Sequence, residues 1–170
     1  QSGAYALGRK TDDLFLAAMD STTNNLNETT NGITLAWAFS LMEAFGNADV
    51  PDDGSRYCVV GWENWSQLMD IDEFSRAEYI GTENLPFAGS ITAKNWLGFT
   101  WFPFSGLTDL GADRKCFAWH TSAVGHAIGA DVSSNMQYHN DKDAYFVLNK
   151  MQMNATLIDA NACYELQLKK

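Results

Sequence analysis

The stretch Pro51-Asp52-Asp53-Gly54-Ser55-Arg56-Tyr57-Cys58-Val59-Val60-Gly61-Trp62-Glu63-Asn64-Trp65-Ser66-Gln67-Leu68-Met69 decides the reading of the fold, because it passes from turn to strand to helix without a spacer. Val50–Gly54 is a turn, in which Pro51 presets φ and Gly54 is available for φ > 0. Tyr57–Val60 is a short run apolar on both faces, as a central strand buried from both sides would be. Glu63–Met69 then reads as a short helix, with Trp62, Trp65, Leu68 and Met69 at i, i+3, i+6 and i+7.

Upstream, Ala6–Met19 carries Leu7, Leu14, Phe15 and Ala18 on one stripe, with Arg9, Lys10 and Asp13 facing away, and predicts a helix. Asp20–Gly32 is dense in Ser, Thr and Asn and predicts an exposed loop. Ile33–Phe45 predicts a second helix, with Thr34 placed to cap it, Trp37, Leu41, Met42 and Phe45 on its apolar face, and Gly46 to stop it. Downstream, Asp70–Gly89 is irregular. Trp96–Phe104 reads as an aromatic strand bent at Gly98 and Pro103, and Lys115–Trp119 as another strand. His120–Gly129 reads as a short helix, small on one face through Ala123, Ala127 and Ala130. Asn135–His139, Ala144–Met151, Ala155–Ile158 and Cys163–Leu168 are strand-like, with a turn at Asn140–Asp143. The sum is an α+β arrangement in two lobes.

The chain has 170 residues, about one domain by length. Its net charge of -10 excludes an autonomous nucleic-acid binder, which needs a basic patch to neutralise phosphates, and disfavours an anionic membrane surface. No apolar run approaches the roughly 18 residues of a membrane span. A chain that begins at Gln1 reads as a processed product or a fragment. Charged residues make up only 19%, while 22 residues are aromatic. Interfaces favour aromatics over Lys and Glu, so this balance fits either a surface that faces other protein or an aromatic-rich monomer. Cys58, Cys116 and Cys163 read as buried thiols in a reducing compartment. The three sequons, at Asn27, Asn64 and Asn154, read as chance matches.

The motifs that carry chemistry fail one by one. His120 and His126 are six apart, whereas a zinc pair on a helix wants three or four; His139 lies further on. Asp52-Asp53, Asp70-x-Asp72-Glu73 and Asp141-x-Asp143 resemble calcium clips. Counted as calcium loops, however, the second places Ser75 at position 6 and Gly81 at position 12, and the third places Phe146 at position 6. No Gly-x-Ser-x-Gly elbow and no phosphate-binding glycine loop occur. Cys116 precedes His120 by four residues, but a buried strand cysteine is the plainer reading. Trp96, Trp101 and Phe104 suit either a core face or a sugar-binding platform. This reading assigns no catalytic, cofactor-binding or metal residue, and no cofactor.

The order of segments nevertheless resembles one group of tailed-bacteriophage major capsid proteins. Gly8-Arg9-Lys10-Thr11-Asp12-Asp13 opens the first helix as in that family. The Asn/Thr-rich loop, the Pro51–Met69 stretch, Glu73–Gly81, Asn95–Phe99 with Ser105–Leu107, and Cys116–Ala127 follow in the family's order, ending in the tail from Asp159 through Cys163 to Leu168. Cys163-Tyr164 stands where the family usually has Gly-Val. The resemblance implies the HK97-like phage capsid fold: residues 1–22 as the end of a peripheral-lobe spine helix, 23–130 as the axial lobe, and 131–170 as peripheral-lobe strands and a closing strand. It implies that an N-terminal arm and extended loop precede residue 1. It further implies a non-enzymatic head protein of a tailed phage, prophage or gene-transfer particle. Such a protein is made in the bacterial cytoplasm and forms an icosahedral shell around double-stranded DNA. Its partners would be copies of itself in hexamers and pentamers, with scaffolding or decoration proteins, without sequence-specific nucleic-acid binding and without a membrane. The acidic charge would then keep packaged DNA from sticking to the inner wall. The competing readings are a carbohydrate-binding module using the aromatics around Trp96–Phe104, and an enzyme with a paired carboxylate site.

Overall fold

The computed structural model describes residues 2–76 and 93–170. Its elements are α1 (Ser2–Met19), α2 (Leu35–Asn47), β1 (Arg56–Val60), α3 (Trp62–Met69), α4 (Asp72–Ser75), β2 (Lys94–Trp96), β3 (Phe99–Pro103), β4 (Asp113–His120), β5 (Val124–His139), β6 (Ala144–Leu157) and β7 (Cys163–Lys169). They form a five-stranded sheet in the order β2-β3-β1-β4-β7, and a separate two-stranded sheet of β5 and β6.

As its apolar run predicts, β1 is central, parallel to β3 and antiparallel to β4. A strand needs a cover on each face if its side chains are apolar on both, and two helices supply them. On one face Phe45 of α2 meets Phe99 edge-on at 4.9 Å and Tyr164 at 5.0 Å. On the other, Phe15 of α1 meets Trp119 edge-on at 5.7 Å. Thr34 caps α2 as expected, its hydroxyl accepting the Trp37 amide at 3.3 Å. Gly46 does not stop that helix, which runs on to Asn47; Asp49 instead takes the left-handed conformation at φ 54°. Met42 and Trp62, both expected on apolar faces, are exposed.

Residues 20–32 form a loop that is tied along its length. The Thr22 hydroxyl donates to the Cys163 carbonyl at 2.9 Å. Leu26 N–H donates to Glu165 O at 3.0 Å, Glu165 N–H to Asn24 O at 2.9 Å, and Lys169 N–H to Glu28 O at 2.9 Å. These bonds cover the outer edge of β7, an edge that would otherwise present unpaired amides. Lys115 of β4 bridges Asp20, at the end of α1, and Glu165 of β7, the latter at 3.0 Å. Its net pKa is raised: burial pulls it down, and the two carboxylates outweigh that.

Three expectations change. The helix expected over 120–129 is a single 3₁₀ turn, Thr121–Ala123, followed by the start of β5. His120 caps that turn through its ring, and Val124 then pairs with Leu157. Trp96–Phe104 is two strands rather than one bent strand: Leu97 and Gly98, both at positive φ, turn β2 back onto β3. The separate strand-like runs of the tail merge into two long strands, and β5 runs straight across position 130. The last strand, β7, lies not with the hairpin but against β4 in the five-stranded sheet. The expected irregular stretch from Asp70 holds the short α4; its remainder, and the family segment reaching Gly81, fall partly outside the described residues.

Candidate functional site

Two surface features stand out from this framework: a cleft between α1 and the sheet, and the β5–β6 hairpin that projects beyond it. The cleft has a volume of about 320 Å³ and is lined by Phe15, Met19, Val59, Phe102, Phe104 and Trp119, with Thr11, Asp12 and His126 adding polar groups. Its floor is an aromatic cluster in which Trp119 stacks on Tyr57 at 5.8 Å and meets Phe102 edge-on at 6.1 Å.

The hairpin is the longest strand pairing in the molecule's described residues, from Val124↔Leu157 out to His139↔Ala144. Side chains alternate across a strand, and in β6 every second residue from Asn149 to Leu157 is half-buried. These positions face α1: a Cβ placed on Gly3 would stand 2.1 Å from Asn149 Nδ2. Beyond Asn149 the same face continues with Val147 and Tyr145, paired across the ladder with Met136 and Tyr138. The Tyr138 and Tyr145 rings are 5.2 Å apart. The opposite face of this outer end carries Phe146 and Leu148, with the His139 ring 5.6 Å from Phe146. All six apolar side chains are exposed. Register shifts between Ile128 and Ser133 break the β5 side of the ladder.

The chemistry-bearing residues do not converge. His120 is buried: its Nδ1 accepts the Ser122 amide at 3.2 Å, which leaves Nε2 to donate to Asp53 Oδ1 at 3.2 Å. His126 lies in the cleft and His139 near the far end of the hairpin. The Ser55 amide, followed by His120, holds the Asp53 carboxyl below its usual pKa. Asp72 pairs with Arg76 at 2.8 Å, and Asp143 accepts the Tyr138 hydroxyl. Among the described residues, no three His, Cys, Asp or Glu side chains gather as a metal site. The three cysteines are free and buried; burial pushes the Cys116 and Cys163 thiols up to about 12 and raises that of Cys58. The Asn64 sequon lies in the core, with Asn64 Nδ2 donating to Lys169 O at 2.7 Å.

The aromatic platform fails as a sugar site. Trp101 is fully buried, Trp96 packs on it at 6.0 Å and on Phe74 at 5.3 Å, and Phe104 lines the cleft. Trp96 and Phe104 are half-buried, and the Trp96 and Trp101 planes are tilted by 52°, so the three rings do not form an exposed coplanar platform. Arg56 was not legible in advance. It is buried, donates to the Val50 carbonyl at 2.5 Å and the Pro51 carbonyl at 2.9 Å, and so locks the turn before β1 from within. Its only signal is a lone cation at the start of an apolar strand.

Residues 1–169 match the family described as phage capsid protein. No curated protein sequence matches. Similar solved structures include one from Mycobacterium phage Che8, at 20% identity and TM-score 0.75, covering 97% of this chain and 60% of that one. The capsid of the cyanophage P-SCSP1u matches at 14% identity and TM-score 0.69, over 98% of this chain and 62% of that one. A virus-like particle from Pyrococcus furiosus matches at 12% identity and TM-score 0.58, over 92% and 60%. These likenesses bear out the expected α+β, HK97-like fold, and this chain spans about 60% of the length of the solved chains it matches.

Proposed function

Because the chain belongs to the phage capsid protein family, we propose that it is a structural, non-catalytic shell subunit that packs with copies of itself around double-stranded DNA. The observation that carries this reading is the family match over residues 1–169 together with the molecule's division of labour. A well-packed sheet lobe supplies stability, and a helix with a long apolar hairpin supplies contact surface. On this reading α1 and the β5–β6 hairpin are the peripheral lobe. The five-stranded sheet with α2, α3 and α4 is the axial lobe, and the boundary falls at the Thr121–Ala123 turn rather than at residue 130. The whole protein forms hexamers and pentamers, takes scaffolding or decoration proteins as further partners, and is made in the bacterial cytoplasm before becoming part of the virion.

Charge placement supports the same reading. Residues 1–19 and 124–157 carry five carboxylates and four basic side chains, a net charge of -1. The other residues carry 16 carboxylates and seven basic side chains, a net charge of -9. An acidic axial lobe repels phosphate and leaves enclosed DNA without tight attachment to it. The test is to express the gene that encodes this chain in a bacterial cytoplasm and examine the product by sedimentation and electron microscopy. Closed shells of uniform diameter are expected; a product that sediments only as small species at high concentration overturns the reading.

A further inference from the structure

We infer that His120 is a proton-operated latch at the joint between the five-stranded sheet and the hairpin. Neutral, its ring holds the Thr121–Ala123 turn closed through the Ser122 amide; protonated, it lets that amide go. The inference goes beyond the shell reading and does not depend on it.

The joint consists of two short turns. Thr121–Ala123 leads from β4 into β5, and Ala160–Ala162 leads from β6 into β7. Both are 3₁₀ turns, and each is capped by the side chain of the residue before it. Asp159 caps the second, its Oδ1 accepting the Asn161 amide at 3.0 Å. His120 caps the first, its Nδ1 accepting the Ser122 amide at 3.2 Å. The two caps differ in what a proton does to them. A carboxylate oxygen keeps a free lone pair throughout the neutral range. An imidazole nitrogen has one lone pair, and imidazole is the side chain that changes charge between pH 5 and 8.

The geometry fixes where that proton goes. The ring is 5% exposed, and both of its nitrogens are engaged. An amide can only donate, so Nδ1 is the acceptor and the neutral ring carries its hydrogen on Nε2, 3.2 Å from Asp53 Oδ1. A second proton can bind only at Nδ1, on the lone pair that the Ser122 amide uses. A ligand shifts an equilibrium by its differential affinity for two states, and here the proton and the closed turn compete for one site. The charged ring has partners in place. Ser122 Oγ, 2.8 Å from Nδ1, takes the new hydrogen, and the bond to Asp53 becomes charge-assisted. Ser122 is exposed, so water replaces the ring at its amide.

Among the described residues, few other charged groups surround the ring. Arg56 stands opposite His120 on β1, but its guanidinium is committed to the Val50 and Pro51 carbonyls. Asp52, in the turn that holds Asp53, lies beside Gly98. Asp159 is committed to its own cap. Asp53 also accepts the Ser55 amide at 2.9 Å, and the Ser55 carbonyl accepts the Thr121 amide at 3.1 Å. This clasp on the start of the joint survives protonation, and only the step into β5 is released. The gain at Asp53 opposes the loss at Ser122, so the change is local and shows in amide exchange rather than in the melting temperature.

The test is residue-resolved hydrogen exchange on the complete gene product from pH 8 to pH 5, corrected for the intrinsic rate. Deuterium uptake at the His120 ring carbon Cε1 reports the ring's titration in the same samples. Protection of the Ser122 amide is expected to fall ten-fold or more with the midpoint of that titration. The Ile158 amide, bonded to the Ala123 carbonyl at 2.7 Å, should stay protected. His120→Asn supplies a cap that takes no proton in this range, and should keep Ser122 protected at every pH. Asp53→Asn, which removes the anionic partner, should move the wild-type transition to lower pH. Constant Ser122 protection while the ring titrates overturns the inference. So does a ring that stays neutral down to pH 5, or an equal loss of protection in His120→Asn. If His120→Asn fails to fold, Ser122→Ala decides, because it removes the acceptor that the charged ring needs. The transition then moves to lower pH if the latch exists and stays in place if it does not.

Discussion

The five-stranded sheet and the two-stranded hairpin use the same residue types to opposite ends. In the sheet, Phe99, Trp101, Cys116, Leu166 and Leu168 are buried because α2 and α3 close one face and α1 part of the other. In the hairpin, Met136, Tyr145, Phe146 and Val147 are no less apolar, yet they are exposed because, among the described residues, α1 alone covers a face and does so along the inner half. The number of layers, rather than the residue type, decides whether an apolar strand becomes core or surface. The sheet's apolar area is buried within the chain, and that of the hairpin's outer end is exposed among the described residues.

Substitutions sharpen that contrast, and the largest effect is expected in the sheet lobe. Phe45→Ala removes a fully buried ring that touches Phe99, Tyr164 and, at 5.7 Å, the Arg56 guanidinium. It should cost about 3–5 kcal/mol in denaturant-monitored unfolding. Asn64→Ala comes next. It deletes a buried amide that donates to Lys169 O and accepts from Cys116, so it should cost about 1–3 kcal/mol by the same measurement. Thr34→Ala, which strips the cap from α2, should cost about 1 kcal/mol, and Thr34→Ser should restore most of it. Acidification is a gentler probe. The Asn31 and Thr30 amides lower the pKa of Glu28, the Ser55 amide and His120 lower that of Asp53, and Lys170 and the Gly111 amide lower that of Asp109. Groups with depressed native pKa values stabilise the fold above their unfolded values, near 4, and lose that contribution as pH falls through the native ones. The melting temperature should therefore be flat from neutrality to about pH 5 and fall below pH 4, with a shallower fall in Asp53→Asn. The smallest effect is expected in the hairpin, where Tyr145→Thr should shift the stability of the dilute monomer by less than about 0.5 kcal/mol. A large loss there would mean that the hairpin is core after all and would remove the contrast.

The parts legible in the sequence are those whose signals are local. The turn, strand and helix of Pro51–Met69 announce themselves through Pro, Gly and a 3.6-residue period, and all three form. Thr34 as a cap and the three buried cysteines are legible for the same reason. The helix expected over 120–129 is absent because its signal, small residues at 123, 127 and 130, is weak, while the ladder to β6 takes up Val124–Ile128. Gly125 and Gly129 also weaken a helix, and a Cβ at Gly125 would stand 2.5 Å from Ile158 Cδ1. Pairing between residues 124 and 157 is non-local, and no window of the sequence around either strand carries it. The same holds for β7: its own run is legible, but its place beside β4 depends on contacts some fifty residues apart. The candidate surface was legible only as a composition, too few charges for so many aromatics, since exposure of the hairpin depends on what does not pack against it.

The stitching of residues 20–32 to β7 has a consequence for how the chain is made. Asn24, Leu26 and Glu28 leave the ribosome well over a hundred residues before Glu165 and Gln167, with which they bond. At roughly 5–20 residues per second, the earlier segment waits on the order of ten seconds for its partner, and β4 waits for the same strand. During synthesis the sheet thus has an open flank where the finished subunit has a sealed one. The strand that seals it also sets the moment at which the nascent chain stops being sticky along that flank.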